Sequence, residues 1–399
     1  MDDFTLSRPY SSSDPARLGT RFRIFPQPSF VLGYEKPETV LVSTPPGSIL
    51  AGPSDSRMYV IDPAGGKEPY SYPYLPPYGG HLGPPAEPGP DGHFDHLPTD
   101  SRAFVLAHAY ACVRRLLDIA ESYRGEEIPW FFEQGCPRLE IVPHLHWDNA
   151  HAGYGFLELG EDATLGEPVP FALNFDAIAH ETSHLILLSL LGTPRASRVP
   201  EEFFAYHEAV ADFFSLVGLL HFDTALDLIL RRTRGNLLLV NELDRFAELA
   251  QERQVRTLNH ALKIHDVGQD LHDRAKPFAG ALFDSLIEIY QVLLVERGLS
   301  QLDPREIEEA RLDLSDSDIE QEFAITQGEY EFRHFQVKSA LAEARDIMGE
   351  LLVTSWQSLD PDTVTFADAA EAMIALAESG RARRISDRLY GNFTWRGIL

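Results

Sequence analysis

Residues 180–184 read HETSH inside a run that is otherwise apolar, with Ile178 and Ala179 before it and LILLSLL after it. No other segment restricts the possible folds as much. On a helix, positions i and i+4 share one face, one turn apart, so His180 and His184 present two imidazoles to a single ion. Glu181 projects beside them, where its carboxylate can take a proton from a water that the ion has acidified. A helix that is apolar around the rest of its circumference has to run through the interior of a folded body. Catalytic zinc needs a third protein ligand and an open position as well, so the next few dozen residues decide what the motif means.

Tyr206 to Asp212 reads YHEAVAD, which puts Glu208 and Asp212 one turn apart on a strongly helical segment. Between His184 and Glu208 lie 23 residues. That is room to end one helix at Gly192-Thr193-Pro194, turn, and begin an antiparallel one near Glu201. Glu201, Glu202 and His207 compete as ligands, but none has an Asp four residues later to orient a ligand imidazole. The plain alternative is that Glu208 and Asp212 decorate a solvated helix face. A metzincin would need Gly and then His where Leu187 and Leu190 stand, so that class is excluded.

HETSH followed by HEAVAD resembles the thermolysin-like gluzincin metallopeptidases. Asp176, in DAIAHETSH, matches the acidic residue of that family's D-x-x-A-H-E pattern. Asn149-Ala150 resembles the family's Asn-Ala edge strand, which the resemblance implies would hold an extended peptide by strand addition. HDRAKPFAGALFDSLIEIY resembles the segment whose His stabilises the oxyanion, a role that falls on His272, with Asp266 or Asp270 to orient it. TFADAAEAMIALA and SDRLYGNFTWRGIL resemble the last helices of the family. The family's catalytic Tyr has no clear counterpart, since Tyr206 is the only Tyr between His184 and Glu208. Its substrate-binding Arg is not placed either, with Arg245, Arg253 and Arg256 as candidates.

The resemblance implies an α+β chain of two lobes, a β-rich N-terminal lobe and a mainly helical C-terminal one, with the zinc-binding helix between them. The expected divisions are 1–99, a β/loop region with a Pro/Gly/Tyr-rich segment; 100–192, the N-terminal catalytic lobe; and 193–399, the helical lobe. Strands are expected over Arg21–Phe25, Thr39–Ser43, Met58–Ile61, Leu139–Val142 and Gly155–Leu159. From Pro63 to Pro98, Pro and Gly dominate and Tyr70, Tyr72, Tyr74 and Tyr78 are interspersed, which reads as an extended surface segment or linker. Helices are expected from Asp100 or Ser101 to Tyr123, then over Asp176–Leu191, Glu201–Leu220, Phe278–Arg297, Ala340–Trp356 and Phe366–Glu378.

Acidic residues outnumber basic ones by 61 to 34, a formal charge of -27 that repels phosphate backbones and anionic membranes and disfavours nucleic-acid partners. Acidic loops are able to hold Ca2+ in addition to the Zn2+ of the motif, although no 12-residue EF-hand loop occurs. The N-terminus lacks the basic start and apolar run of a secretory signal, and no apolar stretch is read as membrane-spanning, so a cytoplasmic protein is expected. Cys112 and Cys136 read as buried thiols. The expected reaction is zinc-dependent peptide hydrolysis of a peptide or protein substrate, endopeptidase in preference to aminopeptidase or other zinc amidase because G-x-M-E-N is absent. A zinc-binding interaction protein on a peptidase scaffold is the rival from another class, and Glu181, which ligates nothing, argues against it.

Overall fold

The computed structural model describes residues 19–162, 169–195, 199–238, 245–250, 253–300, 316–380 and 382–399. The chain divides into two compact units, the first ending at Thr193 and taking in Ala247–Arg253, the second formed by Pro194–Phe246 and Gln254–Leu399. It is a mixed α+β protein with small sheets towards the N-terminus and a mostly helical C-terminal part.

In the first unit, β1 (Thr20–Ile24) and β2 (Glu38–Val42) form an antiparallel pair. A four-stranded sheet has the order β3-β4-β6-β5, where β3 is Met58–Val60, β4 Leu139–Val142, β5 Ala150–Gly153 and β6 Phe156–Leu159. Its first three strands run parallel and β5 runs antiparallel along one edge. Short strands β7 (Glu161–Asp162) and β8 (Val169–Pro170) pair with each other. Helix α1 (Arg102–Arg124) begins where the Ser101 side chain accepts the Phe104 N–H and ends at Gly125, whose φ of 80° only glycine adopts without strain. It is buried on nearly every face, as are its neighbours β1 and α2 (Phe175–Leu191) where they pack on it.

The Pro/Gly/Tyr segment is an extended surface segment, as expected, mostly exposed and anchored inward at a few residues. It forms no helix, and its backbone pairing is in isolated bridges such as Gly52 with Ala86 and Pro63 with Leu82, as its proline content requires. Tyr70 is buried, while Tyr72 is almost fully exposed. The cause is a pair of buried carboxylates on the sheet. Glu140 of β4 accepts from Tyr59 Oη at 2.7 Å, Tyr70 Oη at 2.5 Å and the Tyr78 N–H at 3.0 Å. Glu158 of β6 accepts from Lys67 Nζ and the Tyr70 N–H. A buried carboxylate needs donors, and this segment supplies them.

The second unit is built around α5 (Leu271–Glu296), which packs against α3 (Glu201–Leu219), α6 (Asp316–Ser355) and α8 (Ser386–Trp395). Helices α4 (Asp223–Thr233) and α7 (Phe366–Ser379) pack on α6. Strands β9 (Arg245–Ala250) and β10 (Arg253–Thr257), which include residues of Ala247–Arg253 of the first unit, pair with each other.

Several expectations need correction, among them the start of α6, expected at Ala340 and found at Asp316. Helix α5 starts at Leu271 rather than Phe278, because Asp270 caps it by accepting the N–H groups of His272 and Asp273, and Pro277 is carried inside it. By length and composition α5 is also apolar enough to cross a membrane, yet most of it is buried in the fold. Its apolarity is that of a core helix surrounded by other helices. Cys112 is buried as expected, whereas Cys136 is only half-buried.

Candidate metal centre

Helix α2 carries HETSH. The Asn174 side chain accepts the Ala177 N–H at its start and Gly192 closes its end. Thr182 and Ser183, polar residues inside an apolar helix, donate back to the carbonyls of Ile178 and Ala179 at 2.7 Å and so enter the interior without unmet bonds. Ser189 does the same to Leu185 and also accepts the Phe131 N–H. Asp176 lies in the first turn, where a negative charge is favoured, and its carboxylate accepts from Gln27 Nε2 at 2.8 Å. Gln27 carries no sequence signal; only the fold brings residues 149 positions apart together.

His180 is buried and His184 half-buried, with their Nε2 atoms 3.1 Å apart and their rings nearly perpendicular. Two nitrogens bound tetrahedrally at about 2.05 Å from one ion stand about 3.4 Å apart, so the pair is spread as one shared ion requires. Glu181 is half-buried on the same helix.

Helix α3 carries Glu208, half-buried, and Asp212, 3% exposed, one turn later. The competing residues on α3 are engaged elsewhere. Glu201 pairs with Arg274, Glu202 accepts the Phe366 N–H at the start of α7, and His207 is buried with its ring 4.4 Å from that of Phe203. Burial pushes the His207 imidazole down to about 4. Tyr206 is fully buried edge-on to Phe278, and burial raises its phenol well above its ordinary value, so it serves the core.

His272 opens α5 with its Nδ1 3.0 Å from Glu208 Oε2, and its side chain is 55% exposed. Of the two acids considered as its orienting partner, Asp270 is the cap of α5 and Asp266 accepts the Lys263 N–H at 2.9 Å, 3.5 Å from His265. His180 and His184 stand on α2 of the first unit, and Glu208 stands on α3 of the second. Two imidazole nitrogens and one carboxylate oxygen make a donor set able to hold a divalent metal ion.

Asn149 and Ala150 stand at the start of edge strand β5. The Asn149 carbonyl accepts the Gly160 N–H at 2.9 Å and the Trp147 carbonyl accepts the Glu161 N–H at 2.8 Å. A Cβ on residue 160 would lie 1.8 Å from the Trp147 oxygen, so glycine is what permits this approach. Arg245, Arg253 and Arg256 lie where side chains are outside the described residues.

No protein-family model matches the chain. No curated protein matches it either. Among solved structures it is similar to a precursor of protealysin, a metalloproteinase from Serratia proteamaculans, at 11% identity and a TM-score of 0.48, over 85% of this chain and 87% of that one.

Proposed function

We propose that the chain is a zinc-dependent peptide hydrolase of the thermolysin-like gluzincin type, acting as an endopeptidase, with His180, His184 and Glu208 as its metal ligands. The observation that carries this reading is the pair of imidazoles on α2, His180 and His184, with Nε2 atoms 3.1 Å apart and the Glu181 carboxylate next to the first of them. Two nitrogens and one oxygen suit zinc and leave a coordination position open. Zinc, when bound, supplies a Lewis acid that polarises the scissile carbonyl and makes water acidic enough to be deprotonated near neutral pH.

The chain's own groups do the rest. Glu181 takes the proton from the attacking water and returns it to the leaving amine. His272, beside Glu208, donates an N–H to the oxyanion that develops on the substrate carbonyl. Asp176, held by Gln27, and buried Asp212 fix the two ligand-bearing helices and the orientation of the imidazoles. Asn149 and Ala150, on the open edge of the sheet, hold the peptide backbone by strand addition.

Glu181→Gln should keep its metal and lose hydrolysis of unstructured peptides, because Gln cannot accept the proton. Equal hydrolysis by wild type and variant would sink the mechanism. Wild type that binds zinc yet cleaves nothing in a broad peptide library would assign the fold to binding instead.

A further inference from the structure

The Pro/Gly/Tyr segment has no place in the proposed chemistry, yet its lysine is wired to the proposed substrate edge. Lys67 pairs with Glu158, and both side chains are shielded from solvent. The Lys67 ammonium also lies 3.2 Å from the centre of the Tyr70 ring, and the Tyr70 N–H donates to the second Glu158 oxygen at 2.7 Å. That same oxygen is 2.6 Å from Nε2 of His151, which belongs to β5 and stands directly opposite Glu158 in the strand register. The His151 ring is flanked by Trp147 at 4.8 Å and Phe156 at 5.0 Å. Burial alone would push the Glu158 carboxyl up, but the hydrogen bonds from His151, Lys67 and the Tyr70 backbone hold it below its ordinary range.

Strand β5 has four residues and pairs only with β6. A short edge strand frays readily, and one that must accept a peptide on its free side has to hold its extended shape before the peptide arrives. We infer that Lys67 and His151 are positioning residues: through Glu158 they fasten the edge strand to the Pro/Gly/Tyr segment and keep it extended for substrate. This rests on the reading of β5 as the strand that holds the peptide. It gives the segment around Lys67 a task in substrate binding without any contact with substrate, and it makes KM, rather than the chemical step, the quantity that the segment controls.

The test has two arms. Amide hydrogen exchange is followed by mass spectrometry in wild type, Lys67→Met, His151→Leu and the double variant, all without substrate. Exchange over Ala150–Gly153 should rise about ten-fold in each single variant, while that of the α1 core stays unchanged. The double variant should exchange no faster than the worse single, because both act through one carboxylate. Unchanged β5 exchange, or a rise spread over the whole unit, overturns the tether. This arm reads the same whether or not the protein is a peptidase.

In the second arm, a quenched fluorescent octapeptide and a blocked dipeptide amide are compared as substrates. For Lys67→Met, KM for the octapeptide should rise several-fold with kcat unchanged, and the dipeptide amide should be unaffected. A fall in kcat with unchanged KM, or loosened β5 exchange with no change in KM, overturns the role in substrate holding. Wild type that cleaves neither probe removes the peptidase reading and with it the substrate-holding role, while the exchange arm still decides the tether. If Lys67→Met does not fold, Lys67→Met/Glu158→Gln leaves no buried charge and takes its place with the same expected outcomes.

Discussion

His108 should make the protein acid-sensitive by a calculable amount. It is wholly enclosed on α1, its Nε2 accepts the Phe25 N–H at 3.1 Å, and the rings of Phe25 and Phe104 lie against it. With Nε2 accepting, the proton of the neutral ring sits on Nδ1. Burial drives the imidazole from 6.5 down to about 4, against the smaller opposing effect of its bonds to Ala172 and Phe25. Because the folded value is the lower one, the unfolded chain binds the proton first as pH falls. The stabilisation is therefore complete above about pH 7, declines below 6.5, and has been lost once pH passes below about 4. Between pH 7.5 and 4.5 this single group should remove about 2–3 kcal/mol, a large share of the roughly 5–15 kcal/mol that holds a domain together.

Urea unfolding of wild type and His108→Gln at both pH values isolates the effect. The Gln side-chain oxygen can still accept the Phe25 N–H, and every other titrating group is common to both proteins and cancels. The stability difference between wild type and variant should shift by about 2–3 kcal/mol in favour of the variant on acidification. A difference that is the same at both pH values would refute the reasoning.

Further outcomes follow from the packing. Gly160→Ala should cost at least about 3 kcal/mol in urea unfolding, because the added carbon would meet the Trp147 carbonyl and force β5 away from β6. Ser101→Ala should lower stability by about 1 kcal/mol through loss of the α1 cap and leave metal content untouched, as thermal unfolding and elemental analysis would show. Arg396→Met should cost about 3–5 kcal/mol, since Arg396 is 1% exposed and its guanidinium bonds Asp284 at 2.6 Å and the carbonyls of His260 and Leu262. His272→Ala should lower kcat about a hundred-fold with zinc content unchanged.

What could be read from the sequence was what depends on local spacing. The i, i+4 relation of His180 and His184, the Ser101 cap and the Gly125 stop of α1 are written in neighbouring residues, and the structure carries each element as expected. The start of α5 was masked by Pro277, which reads as a breaker although capping by Asp270 outweighs it. Only the C-terminal part of α6 was expected, because the core-facing period begins near Val337 whereas Phe332 and Phe335 point to solvent. Contacts between distant residues left no trace: nothing in the Leu-Glu-Leu run around Glu158 announces a buried carboxylate, nor does Lys67 announce its partner. In the metal centre, the separation between legible and illegible is the same. The proposed ligands were read from spacing, whereas Gln27 behind Asp176 and the placement of His272 beside Glu208 needed the fold.

Metal content measured on the purified full chain, after incubation with zinc and removal of excess, tests the central claim most directly. The account predicts about one zinc per chain in wild type and in Glu181→Gln, and strongly reduced zinc in His184→Ala and Glu208→Gln. A wild-type chain that retains no zinc, or a Glu208→Gln chain that holds it as tightly as wild type, would contradict it.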